Sequence, residues 1–281
     1  MKIVKTISEI RDIVKEWKKS GYSIGLVPTM GYLHAGHGSL IEQSVKNNDK
    51  TVVSVFVNPT QFGPNEDLEK YPRDIKRDSE LVSSLGGDII FNPEPEEMYR
   101  KYNSTTVKVE GLSEKLCGIT RPAHFAGVCQ VVSKLFNIIT PDNAYFGLKD
   151  FQQYVIINKM VEDLNFPVKI NPCIIVREES GLALSSRNIY LTDEERKSAL
   201  SLNQSLKYAQ SLINKGEKRT SVIISEITKI IENVPYSKID YVKIVNIDTL
   251  DDIEILETKY AVLLAVYIGK TRLIDNFAEL L

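Results

Sequence analysis

A chain of 281 residues is long enough to bury a large core, as one big domain or two modest ones. A formal charge of −2, from 35 basic and 37 acidic side chains, supplies no basic field for nucleic acid. No apolar run reaches the roughly 18 residues of a membrane span and the N-terminus lacks a signal-peptide core, so a cytoplasmic protein with no membrane or nucleic-acid partner is expected. Cys117, Cys129 and Cys173 form no CxxC pair and read as reduced packing residues. A zinc site from His34, His37, His124 and a cysteine matches no closed ligand spacing.

Apolar strands alternate with amphipathic helices, the pattern of an α/β protein with a mostly parallel sheet. Thr6 and Glu9 have capping-box spacing, and Ile10, Ile13, Val14 and Trp17 repeat at helical period until Gly21, which places Trp17 in the core. A buried strand over 23–28 follows, then a loop and a helix from Gly38 to Asn47. Strand 51–58, a polar loop, helix 74–85 and strand 88–92 come next. Helix 125–139 carries Val128, Val131, Val132, Leu135, Phe136 and Ile139 on one stripe. A short strand over 144–146, helix 151–164 and strand 168–176 complete the first region. Residues 177–191 are then polar and contain serines. Thr192 and Glu195 form a second capping box before a long helix, and helix 220–232 with strands 239–246, 260–268 and 271–277 gives an α+β tail. The expected domains are 1–176 and 177–281.

Two of the three histidines lie in the loop 28–37, directly after the first buried strand. Parallel sheets hold ligands at the carboxyl ends of their strands, and a helix start offers N–H groups and a favourable dipole to phosphate. His34 and His37, three apart, face one side of a first helical turn, so both imidazoles can address one phosphate group. Gly31 and Gly36 leave room for close approach. The loop is expected to hold a nucleoside triphosphate, with imidazole N–H groups stabilising charge that grows during attack at the α phosphorus.

Four further segments bear polar groups. Asn58 and Gln61 emerge at the end of a strand, where they bond a polar substrate or, for Asn58, close an Asx turn before Pro59. In 147–153, Gly147 permits close backbone approach and Lys149 supplies a point charge for phosphate. Asp150 is there a ligand contact or a helix N-cap, and Gln153, one turn into the helix, faces the same pocket as Gln61. Leu184 to Asn188 put two hydroxyls and a guanidinium at the domain boundary, as a phosphate grip or a solvated hinge. Arg121 and His124 stand side by side just before a helix, as further site groups or as a helix entry with a satisfied histidine, and their roles stay open.

In order, the blocks PTMGYLHAGH, VFVNPTQFGPNEDLEKYPRD, RPAHFAGV, FGLKDFQQ and LSSRN resemble the pantothenate synthetase family, from Pro28 to Asn188. The resemblance implies a Rossmann-like nucleotidyltransferase domain with a smaller C-terminal α+β domain, assembled as a homodimer. It implies that ATP and pantoate give pantoyl adenylate and pyrophosphate, and that β-alanine then gives pantothenate and AMP. His37 and His34 would be catalytic with Lys149. The ATP site would comprise Met30, Gly31, Tyr32, Leu33, His34, Ala35, Gly36 and His37. Gly147, Leu148, Lys149, Asp150, Val176, Leu184, Ser185, Ser186 and Arg187 would contact ATP as well. Gln61 and Gln153 would hold pantoate, Gln61 would also meet β-alanine, and Asp78 would be associated with Mg2+. Three positions depart from the family's pattern: Leu148, Gly38 and Arg77, the last where a second acid often precedes Asp78.

An attacking carboxylate is already a nucleophile, so positioning and charge stabilisation must supply the rate of the first step. The second step needs the amine deprotonated and water excluded, and no base for it is evident. Another nucleotidyl-transferring enzyme of this fold would share HAGH without NPTQFG and both glutamines. A class I aminoacyl-tRNA synthetase would bring an anticodon-binding extension. A non-catalytic nucleotide-binding module would not bind pantoate.

Overall fold

The first helix starts where its cap dictates: the Thr6 hydroxyl accepts from the Glu9 N–H, and α1 runs Ile7–Lys19. In this computed structural model all residues of 1–281 are described except Asn65, Asp67, Thr258, Leu280 and Leu281. The chain divides into two compact units, Met1–Leu148 with Gln152–Ile174, and Lys149–Phe151 with Ile175–Leu281.

The first unit is an α/β layer structure around a six-stranded, all-parallel sheet of order β1-β4-β3-β2-β5-β6. Its strands are β1 (Lys2–Val4), β2 (Ile24–Thr29), β3 (Lys50–Val55), β4 (Ile89–Phe91), β5 (Asn143–Gly147) and β6 (Lys169–Cys173). Parallel neighbours cannot be joined by tight turns, so helices cross between them. These are α2 (Ala35–Asn47), α3 (Ile75–Ser84), α6 (His124–Ile139) and α7 (Phe151–Asp163), with short turns α4 (Pro95–Met98) and α5 (Cys117–Thr120). Helix α2 covers β2, β3 and β5, while α6 lies against β2 and α1. Val27, Leu33, Ile41, Val53, Val82, Ile90 and Tyr145 form one continuous buried cluster.

Strand β1 lies outside the predicted elements, because three residues carry no readable alternation. The strand expected over 168–176 ends at Cys173, and the helix expected from Gly38 starts three residues earlier, inside the histidine loop. Trp17 is only half-buried, with the Lys50 ammonium 5.6 Å from its ring. At Gly38 a Cβ would lie 3.3 Å from Leu85, so a bulkier residue there would compete with that leucine for space.

The second unit is α+β. An antiparallel sheet β7-β8-β9 (Ser237–Asn246, Tyr260–Ile268, Thr271–Ala278) packs under α8 (Asp193–Asn214) and α9 (Thr220–Glu232). Alternate residues Val262, Leu264, Val266 and Ile268 of β8 join Leu202, Leu206, Ile223 and Ile227 of the helices in one core. The expected capping box opens α8: Thr192 and Glu195 exchange both hydrogen bonds, at 2.9 and 3.2 Å. No helix among the described residues is long and apolar enough to cross a membrane.

Candidate functional site

Strand order reverses between β2 and β5, with β3, β4 and β1 to one side and β6 to the other. The carboxyl ends of those two strands, Thr29 and Gly147, flank the crevice where open α/β sheets bind ligands. The chain leaves β2 through Gly31 and Tyr32, both left-handed at φ +84° and +51°. The Thr29 hydroxyl accepts from the Gly31 N–H at 3.2 Å, and the Asp78 carboxylate from Tyr32 at 2.9 Å and Leu33 at 2.7 Å. His34 is then the N-cap of α2, its Nδ1 accepting from Gly36 N–H at 3.1 Å, while His37 Nδ1 accepts from His34 N–H at 3.3 Å.

Two consequences follow. The N–H groups of Gly31, Tyr32, Leu33, His34 and Gly36 are committed to side chains, so most of the amides between β2 and the first turn of α2 are already bonded within the protein. Glycine at 31 likewise makes room for protein: a Cβ there would meet Val55 at 2.9 Å and Asp78 at 3.0 Å. Moreover, an Nδ1 that accepts carries no proton, so each imidazole keeps its hydrogen on Nε2. The rings lie 4.1 Å apart between centroids and tilted by 37°, a pair of N–H donors built side by side.

Gln61 closes a 3-10 turn, Pro59–Gln61, that follows β3. Asn58, 1 % exposed, accepts through Oδ1 from Thr60 and the Tyr99 hydroxyl. Its Nδ2 donates to Gln61 Oε1 and to the Gly127 carbonyl, each at 3.1 Å. The Asn58 amide is thus used up inside the protein, and of the two roles open to it the turn-forming one is realised. Gln61 Nε2 meets the Met30 sulfur at 3.1 Å, which brings the amide to the start of the histidine loop. From 63 residues away His124 Nδ1 donates to the Gln61 carbonyl at 2.9 Å. Helix α6 approaches so closely that a Cβ at Gly127 would lie 2.4 Å from the Thr60 carbonyl oxygen and 2.6 Å from Gln61 N. Arg121 pairs with Glu66 through two nitrogens. Burial works against the charge of Glu66, but this pairing outweighs it and holds the carboxyl below its usual range.

The adjacent glutamines differ in burial and in hydrogen bonding. Gln152 is buried and structural, accepting from Cys117 N–H and donating to the carbonyls of Leu112 and Lys115. Gln153 is half-buried on the first turn of α7. Leu148–Asp150 form a 3-10 turn that runs into α7, with Asp150 exposed at its end.

In the second unit the predicted contacts Val176 and Leu184 pair directly, Leu184 N–H donating to the Val176 carbonyl at 3.0 Å in a hairpin that turns at Gly181. Ser185 caps the next 3-10 turn, Ser186–Tyr190, by accepting from Arg187 N–H. Asn188 holds the Ala183 carbonyl and Arg196 grips Glu178 at 2.7 and 2.8 Å, so the segment is a braced hairpin and turn rather than a loose hinge. Lys149 is held from β9: Asn276, 4 % exposed, donates to its carbonyl at 2.8 Å. Beside it the buried Asp275 takes both nitrogens of Arg177 at 2.7 and 2.8 Å. Sequence reasoning missed His124, Gly127 and Asn276 as supports, since their partners lie 63, 67 and 127 residues away in the chain.

The structure does not fit a magnesium site at Asp78. The residue is 1 % exposed, both oxygens accept backbone N–H groups, and burial pushes its carboxyl up from the usual range against those hydrogen bonds. Among the described residues no three His, Cys, Asp or Glu side chains gather as an ion site. At the position expected to carry a second acid, the Arg77 guanidinium sits 4.8 Å from the Tyr32 ring centre. The three cysteines are buried, and burial pushes the thiols of Cys129 and Cys173 up to about 12 and about 11, which leaves both unreactive.

A parallel sheet with a histidine-capped helix at its switch point defines an α/β protein of the class whose ligands generally bind at the carboxyl edge of the sheet. Residues 2–278 match the family model of pantoate-beta-alanine ligase. A pantothenate synthetase from Clostridioides difficile (strain 630) is 57% identical over 98% of this chain and 98% of its own length. One from Enterococcus faecalis is 56% identical over 99% and 98%. The crystal structure of pantothenate synthetase from Thermus thermophilus superposes with a TM-score of 0.95 at 41% identity, covering 100% of both chains. The Francisella tularensis pantoate-beta-alanine ligase, complexed with beta-gamma ATP and beta-alanine, gives 0.80 at 35% over 99% and 98%. The chain belongs to the pantoate-beta-alanine ligase family.

Proposed function

We propose that this chain condenses pantoate with β-alanine at the expense of ATP, through a pantoyl adenylate. The observation that carries the reading is the pair of imidazoles whose Nδ1 atoms are fixed by capping bonds, so that two Nε2–H donors stand side by side at the switch point. Preorganised donors lower the barrier to a step in which phosphate charge grows, without reorganising during it. A pantoate carboxylate oxygen forms a bond to the α phosphorus, and pyrophosphate leaves with the electrons of the broken bond. The β-alanine amine then attacks the acyl carbon, AMP departs, and the amine proton passes to solvent.

The assignments are these. Met30 to His37 line ATP, with His34 and His37 on its phosphates. Gln61 and Gln153 hold pantoate, and Gln61 also meets β-alanine; its amide is aimed by Asn58 and by Met30. Gly147 to Asp150, Val176 and Leu184 to Arg187 are ATP contacts, with Lys149, Ser185, Ser186 and Arg187 reaching phosphate. The ligands in the Francisella tularensis relative support ATP and β-alanine as substrates. Magnesium enters with ATP rather than on a protein carboxylate. The homodimer and the cytoplasmic location rest on the family likeness. In sedimentation, the mass of two chains is expected, and a single-chain mass would contradict the homodimer.

Product analysis with pantoate, β-alanine and ATP tests the reaction. Pantothenate, AMP and pyrophosphate are expected in equal amounts; ADP and inorganic phosphate would remove the adenylate route.

A further inference from the structure

Asp78 sits on α3, 45 residues beyond the loop it touches. Its place is fixed from its own side, because Asp74 caps α3 through Arg77 N–H at 3.0 Å and Asp78 N–H closes the first turn onto the Asp74 carbonyl at 3.0 Å. From there its two oxygens take the successive N–H groups of Tyr32 and Leu33, and nothing larger than glycine at 31 lets them in. Tyr32 is a non-glycine residue with φ +51°, a conformation that persists only where surrounding bonds hold it. The next residue after Leu33 is the histidine cap itself.

We infer that Asp78 is a positioning residue for the reaction: it clamps the turn between β2 and α2 and thereby aims both imidazoles, and it is not a ligand for magnesium. The inference rests on the reading that this loop holds ATP phosphates. Buried carboxylates keep their charge only with hydrogen bonds or counter-charges around them, and here two backbone donors provide them. In Asp78→Asn an amide NH2 must replace one oxygen, so it confronts one of the two N–H groups donor to donor. The clamp is lost while the shape of the side chain is kept.

The test uses the full chain and three measurements on the wild type and Asp78→Asn. Amide hydrogen exchange over 30–37 is expected to quicken about tenfold or more at Tyr32 and Leu33, with exchange in α6 unchanged. Binding of ADP in the presence of EDTA is expected to weaken about tenfold. The free Mg2+ concentration giving half-maximal turnover is expected to stay where it is. A severalfold rise in that concentration, with turnover restored by excess Mg2+ or Mn2+ and with exchange at Tyr32 and Leu33 unaltered, would overturn the inference. The exchange measurement needs no nucleotide, so failure of the wild type to bind ADP would strike the functional reading and leave the clamp to be judged separately. If Asp78→Asn does not fold, Gly31→Ala keeps the carboxylate and displaces the loop from it. It is expected to weaken ADP binding in EDTA with the Mg2+ requirement unchanged, and wild-type ADP binding in that variant would refute the clamp.

Discussion

His37→Ala is expected to lower the rate of adenylate formation by about 10²-fold or more, the usual cost of deleting one preorganised donor at a developing charge. The same substitution removes the Nδ1 acceptor that caps the His34 N–H, so a stability loss accompanies it. That loss is of the order of one cap, about 1 kcal/mol, whereas a 10²-fold rate change is about 2.7 kcal/mol of transition-state stabilisation. The two are therefore separable: urea unfolding should report a modestly destabilised, cooperative protein, and single-turnover kinetics a much larger defect. ATP binding should suffer less than turnover, because the donor acts most strongly on charge that appears only during attack. Near-wild-type single-turnover rates would take His37 out of the chemistry.

Gly127→Ala is expected to damage pantoate binding from outside the pocket. The new Cβ would lie 2.4 Å from the Thr60 carbonyl oxygen, 2.5 Å from its carbon and 2.6 Å from Gln61 N, all of them backbone atoms that no rotamer change can move. Either α6 or the turn bearing Gln61 must give way, and overpacking of this kind costs about 1–3 kcal/mol. The same shift pulls on the Asn58 bond to the Gly127 carbonyl, and Asn58 is what aims the Gln61 amide. The KM for pantoate should rise about tenfold while the KM for ATP stays near the wild-type value. Equal effects on both substrates, or none on either, would show that the turn does not transmit the strain to Gln61.

Much of this was legible in the sequence. Periodicity located the helices and the buried strands, because each element buries one face or a continuous run; β1 escaped it because three residues have no period. The HxxH spacing brought the two imidazoles together at the start of α2, although only His37 lies on its first turn and His34 is the extended N-cap. What the spacing did not show was that His34 caps the helix through its own side chain, histidine not being among the residues that usually cap. Nor did it show that most of the loop amides are already bonded within the protein. Long-range supports left no local signal at all. Nothing in the order of residues says that Asp78 reaches back to Tyr32, that His124 braces Gln61, or that Asn276 holds Lys149. The sequence already singled out Gln153 rather than its neighbour, and the fold adds that Gln152 is spent on the carbonyls of Leu112 and Lys115.

A pyrophosphate–ATP exchange assay without β-alanine addresses the two-step chemistry most directly. With pantoate present, label from pyrophosphate should enter ATP at a rate comparable to turnover, and omitting pantoate should abolish it. Absence of exchange in the presence of pantoate, while pantothenate still forms once β-alanine is added, would contradict a free-standing pantoyl adenylate.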